Sequence, residues 1–288
     1  MHVTVLGCGY VGLALAERLV GDGHDVLGVR RSNLDAVRET GADAAAADVT
    51  DPTEIAALPD TDALVFAASS GGRGAEAARE VYVGGLEATI EAYAGRADTL
   101  VYTSSTGVYG DHDGDWVDED TDISPTTEKT DVLAEAERVA LEGGSEAGFD
   151  STVVRFAGLY GPDRYRLERY VEGPVTEGYL NMIHRADAAG TVAFALERDE
   201  DLWLAVDDEP VSKWEFADWL AEECGVEAPE KRTVEERLES GDLSDPAERR
   251  LKTSKRCSNA KLRAAGYEFD YPTFREGYRA AVEAYREG

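Results

Sequence analysis

Three glycines near the N-terminus, Gly7, Gly9 and Gly12, have the G-x-G-x-x-G spacing of a dinucleotide-binding turn. A short apolar segment with strand character precedes them and a helical pattern follows, which is the context that this motif needs. Gly7 allows a tight turn, Gly9 lets the backbone approach a pyrophosphate, and Gly12 lets the helix pack closely on the strand. The N–H groups of the helix N-terminus then face the phosphates. The predicted phosphate site comprises Gly7, Gly9, Tyr10, Val11 and Gly12.

The second strand-like segment ends at Arg30, Arg31 and Ser32. An NAD site usually carries Asp or Glu about 20 residues past the glycines, where the carboxylate binds the ribose 2′-hydroxyl. Guanidinium groups instead suit the 2′-phosphate of NADP, which repels a carboxylate. The sequence therefore predicts NADP, with NAD as the alternative if both arginines only form a solvated strand end.

Two further strand ends add residues to the predicted cofactor site. Asp48 ends a third strand-like stretch, where its carboxylate either accepts from the adenine amino group or caps the helix that starts at Pro52. The apolar run 62–68 reads as a buried strand that opens onto a small loop, Ser69–Gly74. Ligands of parallel sheets lie just outside such carboxyl ends. We assign Ala67 and Ala68 to the cofactor and Ser69 to the substrate.

The elements that must position these residues alternate between strand and helix over about the first 185 residues. This alternation predicts an α/β fold, a Rossmann-type doubly wound parallel sheet with a smaller C-terminal substrate lobe. We place the NAD(P)-binding domain at residues 1–160 and the smaller lobe at 161–288. The lobe is interleaved with the sheet and includes a strand near 179–184.

The net charge of the chain restricts the kinds of molecule that it can bind. The chain has 59 acidic and 29 basic residues and a net charge of -30. Nucleic acid is an unfavourable partner, because binding that polyanion needs a basic face. The apolar content of 43% excludes a disordered acidic tail. An acidic surface of this kind resembles the proteins of salt-loving archaea, in which cations screen the charge.

Neither a membrane nor a metal ion is expected. No apolar run is long enough to span a bilayer, and the first strand begins at residue 2 or 3 without a signal peptide. The three cysteines form no CxxC pair, and the histidines show no metal-ligand spacing with them. We therefore expect a cytoplasmic protein whose partner is a small-molecule substrate, with homodimer formation left open.

Three ordered segments resemble the extended short-chain dehydrogenases, the NAD(P)-dependent epimerase/dehydratase family of sugar-nucleotide enzymes. The segment 102–110, YTSSTGVYG, resembles the family's SS-x-x-VYG. The segment 154–162, VRFAGLYGP, resembles R-x-x-x-x-YGP, and 181–187, NMIHRAD, resembles N-x-I-H-v-x-D. With the glycine turn, these segments cover about two thirds of the chain.

The resemblance implies roles for residues in these segments. Ser105 falls on the family's catalytic serine, whose hydroxyl bonds a substrate oxygen during hydride transfer. The alternative for Ser105 is a strand-end hydroxyl that caps a turn. Tyr109, with Tyr160 second, is our candidate for the proton transfer. His184 has a structural alternative as a packed imidazole, beside Asp187 as a helix cap. The substrate-binding residues expected are Ser69, Arg155, Tyr160 and His184.

The chain departs from the family where proton transfer is normally performed. The family's Tyr-x-x-x-Lys dyad belongs on the helix after the VYG segment, yet no tyrosine occurs between Ser124 and Glu137. The only lysine there is Lys129, and Pro125 stands four residues before it. The family's Asn-x-x-Gly-Thr segment is also altered, to YVGGL over 82–86, and the glycine pattern is GxGxxG where the extended family usually has GxxGxxG.

Two hypotheses follow. The first is an NADP-dependent epimerase/dehydratase or reductase acting on a polar substrate such as a sugar nucleotide, with the usual dyad missing. The second is a non-catalytic protein that senses NADP or scaffolds a partner. Retention of Ser105, of Arg155 and of the His184–Asp187 segment favours the first hypothesis. Loss of the dyad favours the second.

Overall fold

The computed structural model describes residues 1–71, 74–241, 243, 248 and 251–287. Its strands in chain order are β1 His2–Leu6, β2 Asp25–Val29, β3 Asp43–Ala45, β4 Ala63–Phe66, β5 Thr99–Ser105, β6 Trp116–Val117, β7 Asp150–Phe156, β8 Gly158–Tyr160, β9 Val175–Thr176, β10 Tyr179–Leu180, β11 Met182–His184, β12 Leu202–Ala205, β13 Val211–Ser212, β14 Lys231–Arg232 and β15 Arg256–Cys257.

Seven parallel strands form the central sheet, in the order β12-β7-β5-β4-β1-β2-β3. The chain therefore starts in the middle of the sheet and moves first to one edge and then to the other, as in a doubly wound fold. This confirms the predicted fold class. The change of direction lies between β1 and β4, and ligands of such sheets bind at that point, outside the carboxyl ends of the strands.

Helices cover both faces of the sheet. Their bounds are α1 Tyr10–Gly21, α2 Asp35–Arg38, α3 Pro52–Ala56, α4 Ala75–Arg79, α5 Gly85–Tyr93, α6 Glu128–Arg138, α7 Gly144–Ala147, α8 Leu167–Val171, α9 Arg185–Ala195, α10 Lys213–Cys224, α11 Val234–Glu239, α12 Ala260–Ala264, α13 Phe274–Gly277 and α14 Arg279–Glu287. No helix in these ranges is long and apolar enough to cross a bilayer.

Alternation along the strands divides the core between the two faces. On one face, Val5 and Val65 pack with α1 and α9. On the other, Leu64 and Phe66 pack with α5 and α6. Because both faces are covered, the strands read as continuous apolar runs, which is why the sequence signal was strong.

A third apolar cluster forms the core of the C-terminal lobe, around Phe216, Phe274 and Tyr278. Elsewhere in the C-terminal part of the chain, α9 packs against α1, and β12 is the outer strand of the central sheet beside β7. The predicted strand near 179–184 is two short strands, β10 and β11, with different partners. The domain boundary at 160/161 stays a prediction.

The segment between β4 and β5 is a helix broken by a π-helical turn at Glu80–Gly84, which separates α4 from α5. A Cβ at Gly85 would lie 3.1 Å from the Val49 carbonyl oxygen, so close packing accounts for this glycine. The predicted loop Ser69–Gly74 is described except at Gly72 and Arg73, which lie outside the described residues. Part of the charged stretch 230–258 also lies outside the described residues.

The net charge of -30 predicts strong stabilisation by salt. Self-repulsion opposes the compact state, and screening shortens its reach from about 30 Å at 0.01 M to about 3 Å at 1 M. We expect the melting temperature to rise steeply with KCl in thermal melts, and much less with sucrose as a neutral control. A melting temperature independent of KCl would show that the acidic residues are paired or too dispersed to matter.

Candidate functional site

A cavity of about 570 Å³ lies at the carboxyl edge of the sheet. It follows the strand ends, from the arginines after β2, past the glycine turn after β1, to the end of β5. The predicted cofactor and substrate residues that line this cavity are Gly7, Gly9, Tyr10, Val11, Arg30, Arg31, Ser32, Asp48, Ala67, Ala68, Ser69 and Ser105.

The glycine turn leaves room for a ligand where a side chain would fill the space. Gly7 has φ +93° and approaches the end of β4 so closely that a Cβ would lie 2.3 Å from the Ala68 Cα atom. Gly12 lies outside the cavity lining, and a Cβ there would lie 2.8 Å from the Gly7 carbonyl oxygen. A Cβ on Gly9 would meet only that same oxygen, at 3.8 Å, so its open side faces the cavity. These contacts fit a pyrophosphate passing over Gly9.

The N-terminus of α1 is free to bind an anion. Among the described residues no side chain caps it, and its first turn contains no acidic residue. Tyr10 begins the helix, and its hydroxyl donates to the Pro162 carbonyl oxygen at 3.1 Å. The backbone N–H groups and the helix dipole therefore favour negative charge in the cavity.

The Arg30–Ser32 end of the cavity carries cationic groups near an exposed edge. The Arg31 guanidinium lies 3.5 Å from the Asp48 carboxylate. Asp48 also accepts from the backbone N–H and the hydroxyl of Thr50, at 3.0 and 2.9 Å. The alternative that Asp48 caps α3 is wrong, because Asp51 accepts from the N–H groups of Thr53 and Glu54. Asp48 instead lines the cavity beside Arg31.

Ser105 lies where two cavities meet. A second cavity, of about 380 Å³, shares Ser104, Ser105 and Arg164 with the first and extends into the C-terminal lobe. The Ser105 Oγ accepts a hydrogen bond from the Gly107 N–H at 3.1 Å, so it caps the turn as the alternative expected. A hydroxyl that accepts in this way still has its own O–H to donate. Ser105 can therefore cap the turn and bond a substrate oxygen.

The structure does not bring Tyr109 or Arg155 to either cavity. The buried Tyr109 hydroxyl donates to the Asp118 carbonyl oxygen at 2.6 Å, and burial raises the pKa of this phenol well above its usual range. The Arg155 guanidinium lies over the Tyr109 ring, 4.7 Å from its centroid, and donates to the buried Glu137 carboxylate at 2.7 Å. These two side chains form part of the core, so their predicted catalytic and substrate roles do not fit this placement.

Tyr160 and His184 are packed together, with ring centroids 5.3 Å apart. Tyr160 is 2% exposed and stacks on Tyr278, although it lines part of the second cavity. His184 lines neither cavity: its Nδ1 accepts from the Ala186 N–H at 3.2 Å, which caps α9. Burial, followed by the charge of Arg185, lowers the pKa of His184 to about 4. The imidazole is therefore neutral at pH 7 and has the structural role held open for it.

Two residues at the Ser105 end of the first cavity were missed as site residues, Tyr82 and Lys129. Tyr82 comes from the π-helical turn between α4 and α5, and Lys129 from the first turn of α6. The sequence contained a signal for each: Lys129 is the lysine of the stretch 124–137, in which no tyrosine occurs, and Tyr82 begins the YVGGL segment.

In the described part of the chain, the thiols and acidic residues form neither a reactive cysteine site nor a metal site. Cys8, Cys224 and Cys257 are free and buried, and burial raises the pKa of Cys8 and of Cys257 to about 11. A thiol with that pKa is protonated at pH 7 and is a poor nucleophile. No group of three His, Cys, Asp or Glu side chains that could hold a metal ion occurs within 1–71, 74–241, 243, 248 and 251–287.

The sequence and the fold match known proteins. The model of the NAD dependent epimerase/dehydratase family matches residues 3–202. Protein YeeZ of Escherichia coli K12 is 31% identical over 206 residues, which cover 68% of this chain and 73% of YeeZ. A Methylobacillus flagellatus structure classed as an NAD-dependent epimerase/dehydratase is 31% identical, with a TM-score of 0.79 over 99% of this chain and 98% of that one.

More distant structures share the fold. The UDP-glucose 4-epimerase of Thermotoga maritima, solved with UDP-glucose, is 17% identical, with a TM-score of 0.82 over 100% of this chain and 99% of that one. The family match over residues 3–202 and the 31% identity to YeeZ over 68% of this chain show that the chain belongs to the NAD dependent epimerase/dehydratase family.

Proposed function

We propose that the chain is an NADP-dependent oxidoreductase or epimerase that acts on a polar substrate such as a sugar nucleotide. The observation that carries this proposal is the meeting of two cavities at Ser105. A hydride transfer needs the cofactor and the substrate in adjoining spaces, with a hydrogen-bond donor at the reacting oxygen. Ser105 stands at such a junction.

In this proposal residues 1–160 hold the dinucleotide and residues 161–288 contribute most of the substrate site. The turn at Gly9 and the N-terminus of α1 bind the pyrophosphate, and Arg30 and Arg31 bind the 2′-phosphate. A bound nicotinamide dinucleotide supplies hydride transfer in either direction. The chain's own part is to orient the substrate oxygen at Ser105 and to move a proton.

The second cavity supports a phosphorylated substrate. Arg164 and Arg166 line it, with Asn181 as a neutral polar partner. Guanidinium groups bind phosphate oxygens through paired N–H donors, so two arginines suit a diphosphate. The fold relatives named as UDP-glucose 4-epimerase and dTDP-glucose 4,6-dehydratase act on substrates of this class. This is the basis for choosing a sugar nucleotide.

Replacing both arginines of the cofactor cavity should reverse the cofactor preference. We expect the wild-type chain to bind NADP more tightly than NAD in calorimetric titrations at molar KCl. Arg30→Asp combined with Arg31→Ala should weaken NADP at least about tenfold, because charge-assisted hydrogen bonds are lost and a carboxylate repels the 2′-phosphate. NAD should then bind more tightly than NADP.

Arg38→Ala is the matched control, because Arg38 pairs with Asp35 on the surface of α2 and does not line the cavity. It should leave both affinities unchanged. Equal affinities of the wild-type chain for NADP and NAD would contradict the assignment of the 2′-phosphate to Arg30 and Arg31.

The second candidate is the non-catalytic protein that senses NADP. The residues at the start of α6 favour it. Thr127 and Thr130 form a capping box there, within the stretch where the family carries its dyad. Tight NADP binding without turnover would favour the sensor. The test is a panel of sugar nucleotides and small carbonyl compounds, followed by absorbance of the reduced cofactor and by product analysis, since epimerisation causes no net cofactor change.

A further inference from the structure

The proposed reaction needs a group that exchanges a proton with the substrate oxygen at Ser105, and the two tyrosines first considered are poorly placed for it. The Tyr109 hydroxyl is bonded to Asp118 inside the core. Tyr160 is buried in the aromatic cluster of the lobe, and burial raises the pKa of its phenol. Among the described lining of the first cavity, two tyrosines occur, Tyr10 and Tyr82. The Tyr10 hydroxyl donates to the Pro162 carbonyl oxygen.

We propose that Tyr82 is the acid/base of this site, in place of the missing dyad tyrosine, and that Lys129 is its positioning residue. This inference rests on the proposed function. Tyr82 lines the same cavity as Ser105, Thr103 and Lys129, and its side chain is otherwise enclosed, with 9% exposure. Within the described part of the chain, this largely buried side chain therefore borders the cavity.

The backbone at Tyr82 is unusual in a way that fits a site residue. It lies in the π-helical turn Glu80–Gly84, where the helix from Ala75 to Tyr93 has one wider turn. Such turns redirect side chains and occur frequently at functional sites. Here the wider turn lines the same cavity as the end of β5 and the start of α6, the two elements that supply Ser105 and Lys129.

The hydrogen bonds at Tyr82 favour its phenolate. The Tyr82 oxygen accepts from the Ser70 N–H at 3.3 Å and from the Ser70 hydroxyl at 3.2 Å. Burial alone raises the pKa of a phenol, yet these bonds, together with the positive charge of Lys129, lower the pKa of Tyr82 below its ordinary value. Burial raises the pKa of the second cavity's tyrosines, Tyr160, Tyr165, Tyr170 and Tyr278.

The proton step balances with the proposed hydride transfer. In the oxidising direction, the Tyr82 phenolate oxygen takes the proton of the substrate hydroxyl as that O–H bond breaks. A dinucleotide held by the glycine turn and by Arg30 and Arg31 would supply the hydride acceptor for the same carbon, so that the C=O double bond could form. In the reducing direction, the Tyr82 hydroxyl returns the proton to the carbonyl oxygen. Ser105 donates a hydrogen bond to that oxygen in both directions.

The first test uses the protein without cofactor or substrate. A spectrophotometric titration of tyrosine ionisation, at molar KCl, should contain one early transition that is absent in Tyr82→Phe. Lys129→Met should move this transition to higher pH, because the cation that favours the phenolate is lost. Tyr93→Phe and Lys231→Met are the matched controls and should preserve it, since Tyr93 bonds the Pro59 carbonyl and Lys231 pairs with Asp218 on the surface. An early transition that persists in Tyr82→Phe would overturn the proposal.

The second test separates this inference from the proposed function. With a substrate from the panel, Tyr82→Phe should lower kcat about 100-fold or more and leave the NADP affinity unchanged. The pH dependence of kcat that comes from ionisation of the Tyr82 phenol should disappear in this variant. Loss of turnover in Ser105→Ala with full turnover in Tyr82→Phe would overturn the Tyr82 assignment alone. Full turnover in both variants would overturn the proposed site itself.

Discussion

Ser105→Ala is expected to lower turnover by about 100-fold or more while leaving the affinity for NADP nearly unchanged. Removing one pre-positioned hydrogen-bond donor at a reacting oxygen typically has an effect of this size, because the donor stabilises the charge of the transition state most strongly. In the proposed function the dinucleotide binds at the glycine turn, α1 and the arginines after β2, so its binding should survive. Stopped-flow or steady-state absorbance of the reduced cofactor measures the first quantity, and calorimetry the second.

Two variants make this result specific. Ser105→Thr retains the hydroxyl and should recover much of the turnover. Ser151→Ala removes a buried hydroxyl that has no hydrogen-bond partner within the described chain, at the opposite end of the sheet, and should leave turnover unchanged. If Ser105→Ala turns over substrate as fast as the wild type, the chemistry takes place elsewhere.

Glu137→Gln is expected to destabilise the fold by about 3–5 kcal/mol, because it leaves a buried guanidinium without its counter-charge. The side chains of Arg155 and Glu137 are 8% and 5% exposed and are joined by hydrogen bonds of 2.7, 3.1 and 3.2 Å. The Ser104 hydroxyl donates to the same carboxylate at 2.5 Å. Chemical denaturation at molar KCl measures the loss of unfolding free energy.

The matched control is Glu135→Gln, two residues earlier on α6, whose partner Arg79 lies at the surface. Solvent screens that pair, so this variant should change the stability little. Glu137→Leu combined with Arg155→Met should recover much of the stability, since an apolar pair avoids the desolvation cost. Similar losses in Glu137→Gln and Glu135→Gln would contradict a core role for the Arg155–Glu137 pair.

The fold was largely predictable from the sequence because strands covered on both faces appear as uninterrupted apolar runs, such as Ala63–Phe66. The glycine spacing then located β1 and α1. The apolar and glycine pattern did not predict the local geometry, because tertiary packing decides it. The π-helical turn at Glu80–Gly84 and the division of 179–184 into two strands are examples.

The site was predictable at the glycine turn, where the position of the backbone decides function. It was less predictable at the strand ends, where the direction of the side chains decides function. Ser104 lies opposite Arg155 in the sheet, and Ser105 lies opposite Phe156. Because side chains alternate along a strand, Ser104 and Arg155 both donate to Glu137, whereas Ser105 and Phe156 point to the other side of the sheet. Ser104, Ser105 and Phe156 line both cavities, and Arg155 lines neither. The motif resemblance supplied the positions but not this alternation.

Tyr82 and Lys129 were missed for a different reason. They come from different helical segments, far apart in sequence, and no motif spacing connects them. Only the packing of the α4–α5 segment against α6 places both beside Ser105. Such a pair can be recognised from a sequence only when the absence of the usual dyad prompts a search for its replacement.

A crystal structure of the chain with bound NADP would show directly where the cofactor lies. We expect the 2′-phosphate at Arg30 and Arg31, the pyrophosphate over Gly9, and the nicotinamide ring at the junction of the two cavities, within reach of Ser105 and Tyr82. A dinucleotide bound outside this cavity, or bound in reverse with its nicotinamide ring at the two arginines, would contradict this expectation.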